Sequence, residues 1–405
     1  MFNRFSIALF LFLFSLQVVW CQGSLWSVQK DLAFLSSDLT AGRFSGSDGE
    51  RLAARYIAER FVEAGVKPGG TNGYFQAFEL KLPAHPHDTV GTGAPITATN
   101  VIGWLDNNAA TTVVIGAHYD HLGEGGHGSR HTGEPAIHNG ADDNASGVAA
   151  LIYMAEALAK NGPKNNNYLF IGFSGEELGL FGSKYFVENP TIPLASINYM
   201  LNMDMVGRLD TVLVINGAGT SPSWKDVFNV SNKPGFSLVT NESGIGPSDH
   251  TSFYLKNIPA IHFFTGQHGD YHKPSDDAHL VNCEGIQTVG EFLLSIIRGL
   301  DPQGRIPFSK TKDEDTQRSR SFKVTMGVMP DYTYQGQGMR IDGVLEGRPA
   351  KAAGLENGDI ILQIGDIKVG SIQDYMGALG QFNKGDTTKV TVKRKDQELQ
   401  KEITF

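Results

Sequence analysis

Between Thr112 and Arg298 the chain alternates short apolar runs with stretches of helical spacing, and that alternation constrains the fold more than any other feature. Runs over Thr112 to Ala117, Tyr168 to Phe173, Ile197 to Met205, Val212 to Ile215 and Ala260 to Phe264 read as buried strands. Ala145 to Lys160, Leu178 to Val187, Ser248 to Leu255 and Glu284 to Arg298 read as helices between them. Strands that alternate with helices pair in parallel, so the pattern predicts an α/β fold with a mostly parallel central sheet flanked by helices. In such sheets ligands bind beyond the carboxyl ends of the strands.

Upstream, apolar positions from Ser27 to Gly65 predict two helices interrupted by the turn-rich Ala41-Gly42-Arg43-Phe44-Ser45-Gly46-Ser47. Gln76 to Leu82 reads as a strand and the following segment, to Thr99, as a loop in which His85 and His87 are solvated. Arg4 and the apolar run Ile7 to Trp20 fit a secretory signal, residues 1–21, cleaved after Cys21. The run is short for a bilayer span. The expectation is an exported protein, periplasmic or extracellular, with no stable membrane anchor. The two cysteines are Cys21 and Cys283, so cleavage leaves one thiol and no internal disulfide. A net charge of −9 with no basic patch argues against nucleic acid as a partner.

The strand ends carry unusual chemistry. Tyr168 to Phe173 runs into Ser174-Gly175-Glu176-Glu177, which puts two adjacent acids between an apolar strand and a Gly-rich, Phe-containing segment. Uncompensated charge is costly there, and a metal cation removes the cost. Thr112 to Ala117 delivers His118-Tyr119-Asp120, with His118 and Asp120 on one face. Asn139 to Gly147 opens a helix with Asp142 and Asp143, Asp204 ends an apolar strand, and His272 lies on the turn Gly269 to Asp276. Singly, each is more commonly a hydrogen-bonded structural residue or a helix cap.

In this order the stretches resemble the co-catalytic dizinc aminopeptidase family, which includes glutamate carboxypeptidases and, more remotely, the single-zinc glutaminyl cyclases. The resemblance spans about Asp31 to Leu300, within an expected domain of residues 27–300, and implies a fold of zinc-exopeptidase type. It implies His118, Asp143 and Asp204 on one metal, and Asp143, Glu177 and His272 on the other, with Asp143 bridging. Glu176 becomes the general base, and Asp120 orients His118 through its other ring nitrogen. Two cations roughly 3.5 to 4 Å apart share a hydroxide and stabilise the tetrahedral intermediate of amide hydrolysis. A nitrogen and oxygen shell without thiolate suits Zn2+, two per chain. His121, His131 and His138 lie near these motifs but are not expected as permanent ligands. Ser248-Asp249-His250 has the letters of a serine-hydrolase triad, but consecutive helical residues point apart and form no relay.

Asp301 to Arg320 is polar and Pro-containing and reads as a linker, residues 301–320. Beyond it, Met326-Gly327-Val328-Met329, Gly343 to Ala350 and Ala353 to Ile361 resemble a PDZ domain, a small β-rich module over residues 321–405. PDZ domains bind extended peptides at a sheet edge, which implies a peptide or protein ligand besides peptide substrates. The expected function is removal of N-terminal residues from peptides, because no Arg cluster accompanies the motifs to hold a substrate carboxylate; Arg208 is the one exception. The alternatives are a single-zinc glutaminyl cyclase-like enzyme and a noncatalytic PDZ peptide-binding protein.

Overall fold

The computed structural model describes residues 25–81, 95–126, 128–311, 324–330, 334, 336–344, 347–395 and 397–405. The signal sequence, His85 and His87, and residues 312–320 of the expected linker lie outside the described residues. The chain divides into two compact units, Met1–Thr265 with Asp270–Lys310 and Thr311–Phe405 with Gly266–Gly269.

The first unit begins with helix α1, residues 25–35, and α2 (Asp48–Glu63), which starts where Ser47 Oγ accepts the Glu50 N–H at 3.1 Å. Nine strands follow: β1 (Lys67–Pro68), β2 (Phe75–Lys81), β3 (Pro95–Leu105), β4 (Thr111–His118), β5 (Asn166–Phe173), β6 (Ile197–Met203), β7 (Val212–Asn216), β8 (Ser237–Asn241) and β9 (Ala260–Phe264). They form one sheet in the order β1-β3-β5-β4-β6-β9-β7-β8, with β2 on β3. The centre, β5-β4-β6-β9, is parallel, and antiparallel pairs lie to either side.

Helices α3 (Gly147–Asn161), α4 (Phe181–Glu188), α5 (Ser223–Ser231), α6 (His250–Tyr254) and α7 (Cys283–Leu300) complete the unit. Alternate strand residues feed two cores. Val113, Ile115, Tyr168, Phe170, Tyr199 and Leu201 pack with α2, α3 and α7, whereas Val114, Leu169, Ile171 and Met200 pack with α4 and α6. Both faces of the central strands are dry, which is why their sequences read as continuous apolar runs.

Two expectations shift. Pro95–Leu105 forms the longest strand of the sheet although its first five residues read as loop. The helix expected from Leu178 starts at Phe181, because Gly179 and Leu180 adopt positive φ of 121° and 61°.

Residues 301–310, expected as linker, lie on the first unit. Asp301 accepts from Asn165 Nδ2 at 2.8 Å, and Arg305 donates to the Ile197 carbonyl at 2.8 Å. Ile306 is buried and its N–H donates to Asn198 Oδ1 at 2.9 Å. The second unit is a six-stranded antiparallel sheet of β10 (Val328–Pro330), β11 (Met339–Val344), β12 (Ile360–Ile364), β13 (Ile367–Lys368), β14 (Thr387–Arg394) and β15 (Gln397–Thr404), in the order β10-β11-β12-β14-β15 with β13 on β12. With α8 (Pro349–Ala352) and α9 (Ile372–Leu379) it encloses its own core around Ile341, Leu355, Ile361, Leu379 and Val390. No helix among the described residues is long and apolar enough to cross a membrane.

Candidate active site

The carboxyl ends of β4, β5, β6 and β9 lie level, with His118 opposite Phe173 and Met203 opposite Phe263. His118 is the last residue of β4. Asp204 continues β6 by one ladder bond, its N–H donating to the Phe263 carbonyl at 3.2 Å. Gly175 turns the chain off β5 at φ +74°, a conformation glycine adopts without strain. The Glu176 N–H then donates to Asp120 Oδ1 at 3.1 Å, and the Glu176 carbonyl accepts from Gly179 and Leu180 at 2.8 and 3.0 Å. Held on both sides, the two consecutive glutamates project different ways.

Asp143 lies in the wound segment Ala141–Ser146 that precedes α3. Asp276 holds it there: its Oδ2 accepts the N–H groups of Asp142 and Asp143 at 2.9 and 3.0 Å, while Arg208 pairs with its Oδ1 at 3.3 Å. Asn144 ties the neighbouring strands together. Its Nδ2 donates to the carbonyls of His118 and Met203 at 3.2 and 3.0 Å, and its Oδ1 accepts from Gly147 and Met205 at 2.9 and 3.1 Å.

The five expected metal ligands converge. Asp143 faces His118 Nε2 with Oδ1 at 3.3 Å and His272 Nε2 with Oδ2 at 3.1 Å. Asp204 Oδ1 is 3.3 Å from His118 Nε2, and Glu177 Oε2 is 3.1 Å from His272 Nε2. Two ligands on one tetrahedral zinc, each about 2.0 to 2.2 Å from the ion, stand about 3.3 to 3.6 Å apart. The two His118 separations match that spacing, and the two His272 separations fall about 0.2 Å short of it. His272 Nε2 faces both carboxylates, and His118 Nε2 likewise faces two. The other ring nitrogens are occupied, His272 Nδ1 by the Gly128 carbonyl at 2.8 Å and His118 Nδ1 by the Asp120 carbonyl at 3.2 Å. Both imidazoles therefore present Nε2 to the acids, and the residues fit two divalent cations.

Electrostatics agree. Burial alone disfavours the Asp143 carboxylate, yet His118 and His272 beside it hold its pKa well below the usual range. Burial also opposes the charged imidazole of His118, but Asp204 and Glu176 outweigh it and drive that pKa well up. Without a cation such a site takes up protons instead, and binding metal releases them. Glu176 differs from its neighbour: burial is the main cause that raises its pKa, whereas His272 brings Glu177 down to about 2 against burial. Glu176 keeps part of its surface open, as a group that meets substrate must.

Asp142 points elsewhere, its Oδ1 accepting the Gly207 N–H at 2.6 Å. The Asp120 side chain does less for His118 than expected. Its carboxylate is 3.7 Å from the ring nitrogen and is engaged by the Glu176 N–H and by Ser45 Oγ at 3.1 Å. His121 comes closer than expected: its Nδ1 lies 2.7 Å from Glu177 Oε1 and 4.0 Å from Asp143 Oδ2, and it groups with both acids. At 2.7 Å the first contact is a hydrogen-bond length rather than a ligand-to-ligand spacing. His138 is held by Ser129 Oγ and the Ala136 carbonyl, both at 2.8 Å, and exposed His131 by the Glu134 carbonyl at 3.1 Å. Ser248 accepts from Asn202 and His250 stacks on His262, so the triad letters form no relay. Burial pushes the neighbouring Asp249 carboxyl up to about 7. Phe263 packs in the core against Phe292, whereas Tyr271 stacks on His272 with centroids 3.8 Å apart.

Residues 100–297 match the family model of peptidase family M28. The first unit belongs to peptidase family M28. Residues 311–405 match the PDZ domain model, which covers the second unit. Leupeptin-inactivating enzyme 1 of Streptomyces exfoliatus is 34% identical over 119 residues, 29% of this chain and 24% of that protein. The alkaline phosphatase isozyme conversion protein of Escherichia coli (strain K12) is 27% identical over 177 residues, 43% of this chain and 46% of its own. The chain thus spans between about a quarter and a half of the length of these relatives. Among solved structures, an aminopeptidase from Aneurinibacillus sp. strain AM-1 superposes with a TM-score of 0.52 at 19% identity, covering 71% of this chain and 95% of that one. A glutaminyl cyclase of Bacteroides thetaiotaomicron superposes at 0.55 and 20% identity, covering 68% and 96%. At these identities the superpositions establish the M28 unit's fold.

Proposed function

We propose that the M28 unit is a zinc exopeptidase that removes N-terminal residues from peptides and holds two metal ions. The observation that carries this reading is the Asp143 carboxylate, whose two oxygens face His118 and His272 separately. His118, Asp143 and Asp204 would hold one ion, and Asp143, Glu177 and His272 would hold the other. When bound, the ions supply Lewis-acid polarisation and a water of lowered pKa. The chain's own residues do the rest. Glu176 takes the proton of the water that attacks the scissile carbonyl carbon and delivers it to the leaving nitrogen as the C–N bond breaks. Burial raises its pKa above the usual carboxylate range, which strengthens it as a base. Asp120 keeps the Glu176 backbone in place, and Tyr271, stacked on His272, borders the scissile bond.

Preference for a free α-amine rests on charge. Arg208, the cation that would suit a carboxypeptidase, is paired with Asp270 and Asp276 at 3.3 Å. The acids around the site favour a positive group on the substrate. A glutaminyl cyclase shares the fold and is the second reading, but it needs only one ion, and the His118 and Asp204 pair supports another. Rates on aminoacyl p-nitroanilides and their N-acetylated forms separate the readings: the free-amine substrates should turn over at least about tenfold faster. Faster hydrolysis of the blocked forms, or cyclisation of N-terminal glutamine without hydrolysis, contradicts the proposal. The signal-like residues 1–21 support action outside the cytoplasm.

The PDZ unit is assigned an extended peptide, bound along a sheet edge. Every proposed ligand precedes Lys310, so a chain ending there should hydrolyse a small aminoacyl reporter within about threefold of full length. Longer peptides should lose more, because only they reach both units. Measuring kcat/KM across a length series in both forms decides this. Equal ratios at every length mean that the PDZ unit captures no substrate.

A further inference from the structure

Three consecutive residues before α2, Ala41, Gly42 and Arg43, have φ of 44°, 68° and 50°. Such conformations are rare for residues other than glycine, and they persist where surrounding contacts over-determine them. Here most of the contacts run to the segments that carry the proposed ligands, and one runs back to α1. Arg43 is fully buried. Its Nε donates to the Tyr119 carbonyl at 2.7 Å, Nη1 to the carbonyls of Asn139 at 2.7 Å and of Leu35, and Nη2 to the Gly140 carbonyl at 2.9 Å. Its own carbonyl accepts the His121 N–H at 3.3 Å, and the Gly42 carbonyl accepts the Gly123 N–H at 3.0 Å. Ser45 Oγ donates to Asp120 Oδ2 at 3.1 Å and accepts from the Ser174 hydroxyl at 3.2 Å. A side chain at Gly42 would meet the Gly123 carbonyl oxygen at 2.5 Å.

We propose that the left-handed turn Ala41 to Ser45 is the device that spaces the two ligand-bearing segments, with Arg43 as a positioning residue that fixes residues 119–121 against residues 139–140. The inference rests on the dizinc reading for its functional consequence, though the geometry stands without it. A planar guanidinium suits the task, since its donors diverge in one plane toward several carbonyls at once, and lysine offers only a point charge. Burial lowers the Arg43 pKa to about 10 against the pull of Asp143 and Asp120, so the strut stays cationic at neutral pH and adds a fixed positive charge beside the acids. Such outer supports commonly change metal affinity or activity about 10- to 100-fold.

The test uses the full-length chain with Arg43→Lys and Arg43→Met. Hydrogen exchange should quicken in residues 119–123 and 139–143 and stay unchanged in 349–405. Metal retention against a chelator should weaken about 10- to 100-fold, and kcat should fall while KM stays within about threefold. A folded Arg43→Lys or Arg43→Met protein with wild-type exchange and metal retention overturns the proposal. If neither variant folds, Ser45→Ala carries the test, because it removes one hydroxyl from the same turn. Faster exchange over 119–121 with a several-fold lower kcat is then expected, and wild-type values refute the device. A wild-type chain that binds no metal would sink the dizinc reading alone, and the exchange comparison would still decide whether the turn positions these segments.

Discussion

Glu176→Gln is expected to lower turnover at least about 100-fold while both proposed metals stay bound. The amide is nearly isosteric and keeps the backbone contacts of Glu176 with Asp120, Gly179 and Leu180, so the turn off β5 should hold. What disappears is the capacity to accept a proton. A hundredfold loss corresponds to about 2.7 kcal/mol of transition-state stabilisation, within the range of a single general base. Glu177, its neighbour, is the control, because Glu177→Gln weakens a ligand that contacts His272 at 3.1 Å and should release metal. Metal content and kcat measured on the same preparations separate the two roles. A Glu176→Gln enzyme with near wild-type turnover, or one that loses its metals, would show that base and ligand have been exchanged.

Asp143→Ala should lose most bound metal, whereas Asp142→Ala should keep nearly all of it. Asp143 is the carboxylate that faces both imidazoles, so its removal takes a ligand from each ion and leaves two cations with less charge between them. Asp142 bonds to the Gly207 N–H, and truncating it leaves that buried donor unsatisfied at a cost of about 1 to 3 kcal/mol. The second variant should therefore melt earlier but bind normally. Metal analysis after dialysis, paired with thermal melts, distinguishes the outcomes, and the reverse order would move the bridge by one residue.

Much of the fold was legible because burial writes a plain signal. Ala260–Phe264 and Asn166–Phe173 lie wholly in the dry interior, and a strand buried on both faces must be apolar at nearly every position. Strands β3, β8 and β15 escaped for the converse reason. Pro95–Leu105 starts with exposed Pro and Thr residues that masked the apolar Val101 to Leu105 behind them, Ser237–Asn241 is a half-exposed edge, and Gln397–Thr404 is largely polar. The acids and imidazoles were visible as chemistry out of place at strand ends, and the structure brings His118, Asp143, Glu177, Asp204 and His272 together.

Their supports were harder to see. Asp276, Asn144 and Arg43 act by holding main-chain groups far away in sequence, such as the 133-residue reach from Asp276 to Asp143, and that leaves no spacing rule. The available hint for Arg43 was its place in a turn-rich break between two helices. For His121 the sequence offered proximity to His118 and nothing that distinguished a hydrogen bond to Glu177 from a bond to metal.

The central claim is that one chain holds two ions on a shared carboxylate. Metal content of the purified full-length protein, titrated from the metal-free state with zinc while an aminoacyl reporter is followed, tests it most directly. Two ions per chain are expected, with full activity reached only as the second binds. Saturation at one ion with full activity, or activity independent of metal, would contradict it.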